Sequence, residues 1–134
     1  MTHIVKTEEA LKTVRKFYNS KKLSAQAGKS ECLYIYPEDP DISCAIGCFL
    51  PEAFKMQLLQ DGRNDVCVYD LSIAGIIQFE NPIVAKEFET LQAAHDSWVS
   101  WLPTNSTKAL DYHAHFLEQL LMMEAKYLNA KATA

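Results

Sequence analysis

The chain has only four glycines and five prolines in 134 residues, which excludes collagen-like and low-complexity polymers. It also lacks any run of about 18 apolar residues, the minimum for a membrane span. So few glycines leave no glycine-rich loop to cradle a phosphate. A nucleophile elbow, a His-Glu-x-x-His pair and a Cys-x-x-Cys pair are also missing. The first residues, Met1-Thr2-His3-Ile4-Val5-Lys6-Thr7-Glu8-Glu9, have no apolar signal core, so the expectation is a cytoplasmic protein without a membrane partner. What remains is globular in composition, 49% hydrophobic and 22% charged, with a length suited to one domain over 1–134.

Charge is unevenly spread. Within residues 1–30, Lys6, Lys12, Arg15, Lys16, Lys21, Lys22 and Lys29 face only Glu8 and Glu9, a local +5 in a chain of net −4, so the other 104 residues carry −9. A basic segment can meet phosphate, but a dedicated nucleic-acid binder shows a wider basic surface, and the acidic body suits a basic protein partner better. Glu31, Glu38, Asp39, Asp41, Asp61 and Asp65 are the acidic residues expected to form such a surface. Solvated loop charge is the plainer reading of each one singly.

Four cysteines in a chain without an export signal read as thiols rather than a disulfide framework. Cys44 and Cys48 have metal-ligand spacing, but a second pair is missing, and Cys32 and Cys67 are scattered. On a strand, Cys44 and Cys48 would share a face about 13 Å apart, too far to hold one ion. Burial as small hydrophobes is the simpler account, and no metal or cofactor is expected.

Helical periodicity predicts a helix over 7–20, with Leu11, Val14, Phe17 and Tyr18 on one face. Residues 19–30 read as loop. Cys32-Leu33-Tyr34-Ile35-Tyr36 has strand composition, Pro37-Glu38-Asp39-Pro40-Asp41 is turn chemistry and residues 42–50 are apolar again, which predicts an antiparallel β-hairpin over 31–50. A short helix follows Pro51 and ends at Asp61-Gly62, and residues 63–81 read as a short strand and then a helical turn. Val84, Phe88, Leu91, His95, Trp98 and Leu102 step by four and three, predicting a helix over 82–102. Ala109, His113, Phe116, Leu120, Met123 and Tyr127 do the same over 106–129. A five-residue connector makes these two an αα-hairpin, so the expected class is mostly helical α+β.

Both stripes carry a histidine where an apolar residue belongs. His95 and His113 stand eight residues on either side of the connector, which places them in one layer with Asp96 beside the seam. A metal pair or an acid–base pair is the sharp reading, and two hydrogen-bonded core histidines is the plain one; no nucleophile or oxyanion donor accompanies them, and no catalytic residue is assigned. Trp98 belongs to the core stripe. Trp101, near the helix end, is the better interface anchor.

Cys44-Ala45-Ile46-Gly47-Cys48-Phe49-Leu50-Pro51, followed by Leu91-Gln92-Ala93-Ala94-His95-Asp96, resembles a family of small uncharacterised phage and bacterial proteins with the pattern Cys-Ala-Ile/Val-Gly-Cys-Leu-Ile-Pro and a later Leu-Gln-x-x-His-Asp. The likeness covers residues 30–100 and departs at Phe49 and in the acidic turn Glu38-Asp39-Pro40-Asp41. It implies no activity, only a setting in phage and mobile elements, where many small proteins act by binding host proteins.

Three functional expectations follow. The first is a non-enzymatic module that binds a host protein through its acidic surface, a candidate inhibitor of a nucleic-acid-handling defence complex such as a CRISPR effector. The second is a thiol enzyme or metal protein using Cys44, Cys48, His95 and Asp96, with His113 nearby. The third is a nucleic-acid-associated regulator working through Lys12, Arg15, Lys16 and Lys22. A homodimer through the last two helices is compatible with any of them.

Overall fold

The computed structural model describes residues 2–29, 31–103 and 106–129. Its elements in chain order are β1 (His3–Ile4), α1 (Thr7–Asn19), a 3-10 turn (Gly47–Phe49), α2 (Glu52–Gln60), α3 (Val68–Ile73), β2 (Ile77–Gln78), α4 (Pro82–Trp101) and α5 (Ser106–Glu124), followed by a π-helical turn (Ala125–Asn129). The chain is mostly helical with a small sheet, an α+β architecture. No helix among the described residues is long and apolar enough to cross a membrane.

Each long helix forms where the apolar spacing asks for it. In α1, Ala10, Leu11 and Val14 are buried, and Glu8 and Glu9 lie in the first turn, where carboxylates favour the positive end of the helix dipole. The Thr7 N–H is capped from afar by the Glu80 carboxylate at 2.9 Å. The Asn81 side chain accepts from the Val84 N–H at 2.9 Å and Pro82 occupies the first turn of α4, so this start is set locally. The face of α4 formed by Val84, Phe88, Leu91, His95 and Trp98 packs on Ala109, Phe116, Leu120 and Met123 of α5. The pairs run in opposite directions: Trp98 meets His113, His95 meets Phe116, and Glu87 accepts from the side chains of Lys126 and Tyr127. The connecting residues 104 and 105 lie outside the described set.

Two sequence expectations are corrected. No antiparallel hairpin forms over the described part of 31–50; the sheet is a parallel pair, His3 opposite Ile77 and Ile4 opposite Gln78, with a separate parallel bridge between Leu23 and Ser43. Tyr34, Ile35 and Tyr36 are all buried in succession, whereas a half-buried strand alternates. Their backbone is served by side chains instead: Asn64 Oδ1 accepts from the Ile35 N–H and Asn64 Nδ2 donates to the Ile35 carbonyl. The second correction is one of order. Residues 63–81 form helix and then strand, because Val68 begins α3 and the paired residues are Ile77 and Gln78.

The residues from Cys44 to Cys48 make a helical turn rather than a strand, with the Cys48 N–H donating to the Cys44 carbonyl. Gly47 is what lets this turn lie on the segment around Tyr34. A Cβ there would stand 2.4 Å from the Tyr34 carbonyl oxygen and 2.4 Å from Ser43 Oγ.

Candidate functional site

The polar side chains on the buried face of α4 converge on one spot. Gln92 and His95 are three residues apart, on one face, and Asp96 follows at its edge. Gln92 Oε1 accepts from the Val68 N–H at 2.7 Å, capping α3, and its Nε2 donates to the Tyr34 hydroxyl at 3.1 Å. Tyr34 in turn donates to the Val66 carbonyl. Burial, helped by the neighbouring Cys44, pushes the Tyr34 hydroxyl far above its usual range, so it stays a neutral donor.

His95 is fully buried, between the segment 23–32 and the aromatic rings of Trp98 and Phe116. Its Nε2 accepts from the Ala25 N–H at 3.3 Å, which assigns the imidazole proton to Nδ1, and Nδ1 lies 3.2 Å from Cys32 Sγ. The Cys32 sulfur contacts that of Cys44. This hydrogen bond and burial drive the Cys32 thiol well above its normal range. Cys44 Sγ also accepts from the Gly47 N–H at 3.1 Å, inside the turn that the Gly47 contact holds down. The Ala25 N–H thus donates to His95 and the His95 Nδ1 faces Cys32, while Cys32 neighbours Cys44, which the Gly47 N–H meets from the far side.

In this arrangement the imidazole donates to sulfur. A Cys–His nucleophile pair requires the reverse, an unprotonated nitrogen facing the thiol, and Nε2 is already occupied by a backbone N–H. The metal-ligating set is different. Cys32, His95 and Asp96 each offer one ligand atom, all within 4.8 Å of one another.

Of the residues singled out by spacing, the structure unites His95 and Asp96, joined by Cys32, and places Cys44 beside Cys32 rather than with them. Cys48 is buried, and its S–H donates to the Ala45 carbonyl at 3.2 Å. His113 does not reach His95, because Trp98 stands between them, stacked on His113 at 4.1 Å and edge-on to His95. The Tyr18 hydroxyl is hydrogen-bonded to His113 at 2.8 Å, and burial lowers the pKa of His113. Sequence spacing missed Cys32 and Tyr34, which carried no signal beyond residue type. Gln92 did carry one, as part of Leu-Gln-x-x-His-Asp.

The acidic residues lie on two loops tied into one unit. Asn64 pins residues 61–66 to Tyr34 and Ile35 through the hydrogen bonds above and a Tyr34 N–H donation to its own carbonyl at 3.1 Å. Glu31, Glu38, Asp41, Asp61 and Asp65 are exposed, while Asp39 pairs with Lys29 at 3.2 Å. The basic segment is partly satisfied internally: Arg15 makes a forked pair with Glu124 at 2.6 and 3.0 Å. Trp101 is about one third exposed beside Leu102, at the end of α4. Compared with family models, curated proteins and solved structures, the chain finds no match.

Proposed function

We propose that the chain is a non-enzymatic protein-binding module whose acidic loops engage a basic surface of a host protein. The observation that supports it is the Asn64 staple, which holds Glu38 and Asp41 on one loop and Asp61 and Asp65 on the other in a single fixed unit. Pre-organised like charges of this kind speed encounter with a basic groove and set its register. With the resemblance to phage proteins, the favoured partner is a nucleic-acid-handling defence complex of the host cytoplasm, such as a CRISPR effector, and the function its inhibition. In this reading α4 and α5 close as an αα-hairpin that serves as scaffold, with Trp101 as an apolar anchor at its rim.

The test is affinity capture from host lysate with the native chain and with Glu38, Asp41, Asp61 and Asp65 all changed to Lys. A stoichiometric, salt-sensitive protein partner present with the first and absent with the second is expected. Equal capture by both refutes the acidic-surface reading. The basic first helix is the weaker alternative, since its Arg15 is already engaged by Glu124.

A further inference from the structure

The cluster on α4 contains a feature that hydrogen bonding leaves unexplained. Asp96 Oδ1 is buried and has no hydrogen-bond partner among the described residues, although the rest of that carboxylate reaches solvent. It lies 3.9 Å from His95 Nδ1, beyond hydrogen-bond distance. A carboxylate oxygen held dry beside an imidazole and a thiol is costly unless a positive charge faces it.

We propose that Cys32, His95 and Asp96 hold a borderline-soft divalent cation of the zinc class, which clamps the segment that begins at Cys32 to α4. The donor set decides the class of ion. A sulfur, an imidazole and a carboxylate select zinc-like metals over the hard, all-oxygen coordination of magnesium or calcium. The spacing fits as well. A tetrahedron with zinc–ligand arms of about 2.0–2.3 Å has edges of roughly 3.3–3.8 Å. The two measured edges are 3.2 Å, from Cys32 Sγ to His95 Nδ1, and 3.9 Å, from that nitrogen to Asp96 Oδ1. The third edge, from Cys32 Sγ to the Asp96 carboxylate, lies within 4.8 Å.

Loading rearranges protons in a defined way. The thiol of Cys32 releases one, since the thiolate is the ligand. His95 coordinates through Nδ1, so its remaining proton moves to Nε2 and the Ala25 N–H turns away from the ring. That contact is long, at 3.3 Å, and is the one native hydrogen bond the metal displaces on this side. Three positions come from the protein, and the fourth is left to water or another small donor. The site neither requires nor excludes the acidic-loop partner.

The experiment uses the full reduced chain, its fold checked by circular dichroism, titrated with cobalt(II) and then zinc. One equivalent of cobalt with tetrahedral visible bands and a sulfur-to-cobalt charge-transfer band is expected, displaced by one equivalent of zinc. Cys32→Ser should weaken zinc by more than about 100-fold, beyond the 10–100-fold that outer-shell changes cost. Asp96→Asn, at a half-exposed residue that anchors no other group, should do the same without unfolding the chain. Cys67→Ser and His113→Gln should leave binding unchanged. Failure of the folded native chain to bind one equivalent overturns the proposal, and so does undiminished binding by the Asp96→Asn and Cys32→Ser variants.

Discussion

Replacing Gly47 by Ala tests whether the turn from Cys44 to Cys48 is held down by a close backbone approach. The backbone at Gly47 belongs to the 3-10 turn and its φ is not positive, so it is open to any residue, and by conformational entropy alone the substitution would stabilise the chain by about 0.4–1 kcal/mol. The sign is decided by space. The new Cβ would stand 2.4 Å from the Tyr34 carbonyl oxygen, 2.4 Å from Ser43 Oγ and 2.8 Å from Tyr34 Cα, and two of those atoms are backbone. Relieving them pushes the turn off the Tyr34 segment, an overpacking cost of about 1–3 kcal/mol and sometimes more. It also breaks the buried 2.7 Å bond from Ser43 Oγ–H to the Tyr34 carbonyl, worth about 1 kcal/mol. The net loss is about 2–3 kcal/mol, and a chain of this size should then melt roughly 8–10 °C lower. Gly75→Ala is the matched control. Gly75 has φ +75° and open space around its Cβ position, so only left-handed strain of about 1–2 kcal/mol opposes it. Urea unfolding of both variants, followed by circular dichroism, supplies the comparison. If Gly47→Ala is as stable as the native chain, the close-approach argument is wrong.

Gln92→Leu keeps the volume but leaves the Val68 N–H without its acceptor and removes the donor to the Tyr34 hydroxyl, which keeps its bond to Val66, and should cost about 1–3 kcal/mol in denaturant midpoint analysis. Acid should weaken the fold through His113 and His3. Burial lowers both pKa values below the unfolded 6.5, so the unfolded chain binds protons first; their contribution is complete above 6.5 and is lost as pH falls through the lowered folded values. Urea midpoints measured between about pH 7.5 and 5 should therefore decline, and His113→Gln should flatten the slope even where it lowers the absolute stability.

The long helices were legible because their information is local. Val84, Phe88, Leu91, His95 and Trp98 are spaced to share one face of a helix wherever the chain sits, and all five are buried. The sheet was not legible: each strand is two residues long, and His3 and Ile77 find each other across 74 positions of sequence, with no alternation to announce them. The expected hairpin failed for a related reason. Aromatic and β-branched residues at 34–36 meet the demand for burial, and strand composition cannot reveal that Asn64, far along the chain, supplies the backbone partners a second strand would otherwise provide.

The same distinction explains why half of the site was visible. Periodicity placed His95 on a buried face and Asp96 at its edge, because both facts follow from one helix. That His95 meets Cys32 rather than His113 depends on which neighbour fills the space between two helices, and Trp98, one turn on from His95, fills it with an indole that His113 stacks against. A histidine in an apolar stripe therefore points to a polar partner somewhere without naming it. The partner has to be sought among residues that the fold brings from outside the stripe. Here it is Cys32, which the bond from the Cys44 N–H to the Leu33 carbonyl fastens beside Cys44, so that a cysteine 63 positions away presents its sulfur to the imidazole.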